Sequence, residues 1–160
     1  MRKKILEQDQ LTETPSQSGE LDIATIATVI VTSEDPDYPV ENVFDSRRGP
    51  GGSRWVAAAS GEQTLILAFD TPQTVHQISL EVEEQEVSRT QELQLSISVD
   101  DGQTYRELLR QEYNFSPSGT TFEREKWSVN AEQVTHLRLW IKPDKANKPC
   151  RATLTALGLR

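Results

Sequence analysis

Cysteine occurs once and histidine twice in 160 residues, and these scarcities remove whole classes of chemistry before any pattern is sought. Cys150 alone cannot close an intrachain disulfide, which fits a reducing compartment. Beside Lys148 and Arg151 it has no catalytic partner in view, so it reads as a small core residue. His76, His136 and Cys150 do not make the ligand set of a transition-metal centre, and no metal is expected there. Arg2, Lys3 and Lys4 imitate the charged start of a secretory leader, yet no apolar run follows them. Cytoplasmic location is therefore the expectation. No stretch approaches the roughly 20 apolar residues of a membrane span, so no membrane partner is expected. The sequence also lacks a phosphate-binding loop, a dinucleotide fingerprint and a Ser-His-Asp pattern. Carboxylates are plentiful, but Glu81, Glu83, Glu84 and Glu86 read as a solvated edge or loop rather than a catalytic pair. The chain is not expected to be an enzyme.

The hydrophobic fraction is only 35%, and a polar N-terminal segment explains part of the deficit. Residues 1–20 are expected to form a flexible tail, leaving 21–160 as one domain. The net charge of −8 opposes binding of nucleic acid through the whole surface while leaving room for a local basic site.

Alternation with a period of two dominates from Thr64 onward. His76, Ile78, Leu80 and Val82 share one face of "VHQISLEV", which makes His76 a core histidine. Leu93, Leu95, Ile97 and Val99 share a face of "QELQLSISV". Leu137, Leu139 and Ile141 alternate with His136, Arg138 and Trp140. "TLILAFD" reads as a central strand, "IATIATVIV" as the first and "RATLTALGL" as the last. Two less regular strands lie between Tyr105 and Val129. About eight antiparallel strands result, arranged as an all-β jelly-roll sandwich.

Short turns fall at Thr71–Thr74, Asp100–Gln103 and Asn130–Gln133. Long connections at Ser33–Gln63, Glu83–Thr90, Tyr113–Thr120 and Pro143–Pro149 alternate with them. In an up-and-down chain every long connection then emerges at one end, the usual place for a binding site. "SVDDGQTY" has the spacing of an Asp-box, but one such hairpin makes no propeller, and Asp101-Gly102 is read as a tight turn.

The largest connection holds "YPVENVFDSRRGPGGSRW". Tyr38, Arg47, Arg48 and Arg54 are candidate ligand contacts here, with Lys145 and Lys148 from the last long connection. Arginine forks suit carboxylate or phosphate oxygens. The neighbouring glutamates are the competing explanation, as simple charge neutralisers. Arg138 and Trp140, opposite in phase to the apolar residues, read as an outward pair suited to cation–π packing or a protein contact. Trp55 reads as a core plug, and Trp127 has no clear phase.

"TSEDPDYPVENVFD", "SRW", "LAFDTPQTVHQISLEV", "LSISVDDGQTYREL" and "VTHLRLWI", in this order, resemble the coagulation factor 5/8 type C, or discoidin, domain. That domain belongs to the galactose-binding-like superfamily. The resemblance covers Ile23 to Leu159 and implies a galactose-binding-like sandwich carrying a non-catalytic binding site. "WVAAASGEQT", "VHQI" and "YRELL…NFSPS" are more locally similar to the N-terminal domain of the DNA single-strand-break repair scaffold. Three partners follow as expectations: a glycan or other polar or anionic small ligand, a protein in an adaptor role, or DNA ends, which the net charge disfavours. Many discoidin relatives hold a structural calcium. Here Asp45 is followed by Ser46 rather than glycine, and Ala156 stands where a glutamate is expected, so the calcium site is expected to be lost and no cofactor is foreseen.

Overall fold

A computed structural model describes residues 19–45 and 48–160. Apart from Gly19 and Glu20, the expected tail over 1–20 lies outside the described residues, and so does Arg47. Among the described residues eight strands form: β1 (Ala27–Val31), β2 (Trp55–Ser60), β3 (Gln63–Glu83), β4 (Arg89–Ser98), β5 (Arg106–Phe115), β6 (Phe122–Lys142), β7 (Arg151–Leu154) and β8 (Ala156–Leu159). The all-β expectation holds, with one correction at the start: Ile23–Ile26 is a single helical turn, α1, and only Ala27–Val31 of that stretch is strand. A 3-10 helix covers Val40–Phe44. Among the described residues, no helix is long and apolar enough to cross a membrane.

The backbone of the fold is a two-stranded ribbon. β3 and β6 pair antiparallel from Gln63↔Ile141 to Ala68↔His136 and again from Gln77↔Ser128 to Glu83↔Phe122. The first half of β3 also carries β1, and the second half of β6 carries β4 and then β5. The second half of β3 carries β8 instead, while β2 and β7 form a separate pair. Thr71–Thr74 and Asn130–Gln133, expected as turns between strands, are therefore the irregular middle of two long strands. Register shifts at Gln73↔Val134 and Val75↔Ala131 bend the ribbon without ending it.

That irregularity corrects the phase of the sequence reading. The His76 and Gln77 N–H groups both donate to the Arg160 carbonyl, at 2.6 and 2.8 Å, so one residue is extra. Val75 is buried and His76 is exposed, whereas Ile78, Leu80 and Val82 point inward as expected. His76 is not a core histidine. Val99 is likewise exposed, because it lies just past the end of β4.

Folded at this bend, the ribbon buries both halves in one cluster. Leu65, Leu67, Leu93, Leu95, Leu137, Leu139 and Ile141 share it with Ile78, Leu80, Val82, Leu157 and Leu159. Each such side chain contributes about 1.5–3 kcal/mol on burial. Trp55 is fully buried and donates its indole N–H to the Ser33 carbonyl at 2.9 Å, so it is the core plug the sequence suggests.

Backbone hydrogen bonds show which connections share an end. Glu84 N–H donates to the Thr121 carbonyl, joining the connections after β3 and β5. Arg89 reaches the Pro143 carbonyl, and Gly51 reaches Glu83. All four long connections thus meet at one end of the sandwich. At the other, Asp101 N–H donates to Thr135 Oγ1, bringing the β4–β5 turn against the bend in β6.

Candidate functional site

The largest connection is held by two carboxylates that the sequence reading treated as solvated. Glu81 and Glu83 are two residues apart on β3 and both are buried. Glu81 accepts the Gly49 N–H at 2.7 Å, and Glu83 accepts the Gly51 N–H at 3.0 Å. Both glycines have left-handed backbones, with φ of 87° and 81°, which aims these amides at the strand without a Cβ penalty. A buried carboxylate is costly unless hydrogen-bonded, so this pairing explains both the glutamates and the glycines. The sequence carried a signal for it: two acids and two glycines, each pair at a spacing of two.

A second anchor sits beneath the neighbouring loops. Arg89, whose side chain is 2% exposed, pairs with Glu84. Its guanidinium also donates to the carbonyls of Pro143 at 3.2 Å and Arg151 at 2.7 Å, and lies 3.6 Å from Cys150 Sγ. Cys150 is half-buried at this rim, not a core residue. Asp144, also buried, accepts N–H groups from Thr90 and Lys148, each at 3.0 Å. Burial raises its pKa, but these bonds, one from Ala146 and the Lys148 charge outweigh it, and the net shift is downward.

Above these anchors lies a cleft in two adjoining parts, of about 200 and 410 Å³, which share Tyr38, Arg54, Glu83 and Gln85. The Arg54 guanidinium stacks 5.3 Å from the Tyr38 ring centroid, and the Tyr38 residue is 37% exposed. Arg151, on the same cleft, is paired with Asp35 at 2.7 Å. The Asp35 carboxyl lies below the usual range because it accepts the Asp37 N–H and the Arg151 guanidinium. Arg54 has no carboxylate partner among the described residues. Its guanidinium borders both parts of the cleft.

The other predicted contacts are dispersed. Arg48 pairs with Glu20 at 2.5 Å, over the outer surface of β3 and β8. Lys145 pairs with Glu112 at 2.9 Å, which raises its pKa through that hydrogen bond. Lys148 donates to the Ser88 carbonyl at 2.5 Å and borders a shallow depression with Gly61 and Glu62. The expected Arg138–Trp140 pair does not form. Arg138 stacks 4.0 Å from the Tyr105 ring centroid, and Trp140 donates to Glu62 at 3.0 Å. Ser53 donates to Asp45 and to the Asn42 carbonyl at 3.4 Å, while Ala156 brings a buried methyl group in β8. Among the described residues, no group of three or more His, Cys, Asp or Glu is placed to hold a metal ion.

No protein-family model matches the chain, and no curated protein matches it. Solved structures do. One holds two family 32 carbohydrate-binding modules of Clostridium perfringens ZmpB, with a TM-score of 0.66 and 14% identity over 94% of this chain and 38% of that one. The family 32 module of C. perfringens NanJ, solved with galactose, gives a TM-score of 0.61 and 10% identity over 88% and 96%. A pectin-binding carbohydrate-binding module gives 0.59 and 19% over 85% and 91%. At such identities the likeness establishes the fold. The chain has the β-sandwich fold of these modules.

Proposed function

We propose that this chain is a non-catalytic carbohydrate-binding module whose ligand sits in the cleft at the long-loop end. The observation that carries the proposal is the Tyr38–Arg54 stack beside Glu83, Glu84 and Glu86. A pyranose presents an apolar C–H face and hydroxyls that both donate and accept. The exposed part of the Tyr38 ring suits the former, and guanidinium donors with carboxylate acceptors suit the latter. The fold supports the reading, since the solved neighbours reported above are carbohydrate-binding modules, one of them in complex with galactose. Tyr38 and Arg54 are the contacts proposed here. Lys145 and Lys148 are engaged in holding the adjoining loops.

The module works without calcium in this proposal. A hard cation prefers several anionic oxygens, and Asp45 with a methyl group at Ala156 does not fit one. The Glu81–Gly49 and Glu83–Gly51 bonds supply the ordering of the loop instead. Adaptor and DNA-end readings gain nothing from the structure: Arg138 and Trp140 have internal partners, and the neighbours reported above lend no support to the repair-scaffold resemblance.

A glycan array followed by titration with the best hit tests the proposal. Tyr38→Ala and Arg54→Ala should each weaken binding by about tenfold or more, as expected for losing a stacking surface or a charge-assisted hydrogen bond. A chelator should leave affinity unchanged. A blank array, or variants that bind as well as the unmodified chain, would refute it.

A further inference from the structure

Where β8 pairs with β3, the outer surface carries a charge opposite to that of the whole chain. Gln77, Ser79 and Glu81 point outward from β3, Arg124 and Lys126 from β6, and Gly158 from β8, and together they line a groove of about 270 Å³. Glu20, Arg48 and Arg160 border it. Four cations thus face two carboxylates, on a chain whose net charge is −8. Glu20 and Glu81 occupy only part of the available donors. Arg48 uses one terminal nitrogen on Glu20, and Arg124 uses Nε on Glu81 at 3.1 Å, leaving further N–H groups on each guanidinium. Lys126 and Arg160 have no ion-pair partner among the described residues, and Lys126 is exposed.

The floor is kept open by a residue without a side chain. A Cβ at Gly158 would lie 2.6 Å from Ser79 Oγ, 3.1 Å from Glu20 Oε1 and 3.2 Å from the Arg48 guanidinium. No aromatic side chain lines the groove, so it offers no platform for stacked bases. It offers instead cationic donors on the walls and the amide and hydroxyl of Gln77 and Ser79 between them.

We propose that this groove is a second binding site, taking the carboxylate groups of an acidic polysaccharide. It is distinct from the Tyr38–Arg54 cleft. The two are bordered by opposite ends of one loop, Arg48 at the groove and Arg54 at the cleft. The proposal extends the carbohydrate-binding reading but needs no ligand in the cleft.

Affinity electrophoresis in gels containing polygalacturonate tests it, alongside neutral galactan and a single-stranded oligonucleotide. The full chain should be retarded by polygalacturonate, and retardation should fall with added salt. Lys126→Glu should weaken that binding about fivefold or more, and Lys126→Glu/Arg160→Glu further. Tyr38→Ala should leave the groove intact, so polygalacturonate binding retained in Tyr38→Ala but lost in Lys126→Glu assigns the groove even if no neutral glycan binds. Amide NMR shifts on adding galacturonate should centre on Ser79, Lys126 and Gly158. The proposal is overturned if the unmodified chain ignores polygalacturonate, if charge reversal leaves retardation unchanged in correctly folded variants, or if the oligonucleotide alone is bound.

Discussion

Replacing Arg89 by methionine keeps a long unbranched side chain in β4 while removing a guanidinium that is almost wholly buried. Three kinds of contact go at once: the pair with Glu84, the bonds to the carbonyls of Pro143 and Arg151, and the approach to Cys150. Glu84 is 11% exposed and retains the N–H groups of Glu86 and Val87, at 2.9 and 3.2 Å, but loses its ion-pair partner. Breaking one partner of a buried pair in this way costs about 3–5 kcal/mol. For a domain of this size that lowers Tm by roughly 10 °C. Urea denaturation would read the loss as a lower midpoint with an unchanged slope. The control is Arg89→Met/Glu84→Gln, which removes the stranded charge as well and should recover part of the loss, a non-additivity expected of directly paired groups. A loss below about 1 kcal/mol would refute the reasoning, because the pair would then not be buried in the sense used here. So would a double variant no better than the single one.

Trp55→Phe should cost about 1–3 kcal/mol in the same denaturation assay, since it strands the Ser33 carbonyl and leaves a gap in a fully buried site. Gly51→Ala should cost only about 1 kcal/mol, because a Cβ there meets nothing within 4 Å and only the left-handed φ of 81° opposes it. A loss of several kcal/mol would contradict that account. Asp35, Asp100 and Asp144 have folded pKa values below 3.8, that of Asp100 at about 2 through bonds from Ser98 and Thr104. Their stabilising contribution is complete above the unfolded value and is lost as pH falls through the folded ones, so Tm should decline between about pH 4 and pH 2. A flat Tm across that interval would count against these hydrogen bonds.

The strands were legible because their faces alternate. Leu93, Leu95 and Ile97 are buried as the pattern requires, and so are Leu137, Leu139 and Ile141. The bend was not legible, since a bulge adds one residue without altering composition, and His76 moved to the exposed face with it. The meeting of the long connections was legible from their alternation with short segments, although two of those segments are bends within β3 and β6 rather than turns between strands. Which side chains converge there did not follow. Arg48 and Arg54 are close in sequence, yet the Glu81 and Glu83 bonds carry the loop between them over the sheet, so they border different cavities. Arg138 and Trp140 illustrate the same limit. Their outward phase was read from the strand, but neighbours two apart on one strand sit farther apart than residues on adjacent chain segments, and Tyr105 and Glu62 took their place.

The matched spacing of Glu81 with Gly49 and Glu83 with Gly51 acts as a ruler. An insertion of one residue between the two glycines would put one amide out of reach of its carboxylate, whereas an extension after Gly52 would leave both bonds in place. The loop therefore divides into a fixed middle and a tolerant distal segment leading to Arg54. Anyone transplanting a different specificity onto this sandwich would keep residues 49–51 with Glu81 and Glu83 as one unit, and vary length only beyond it.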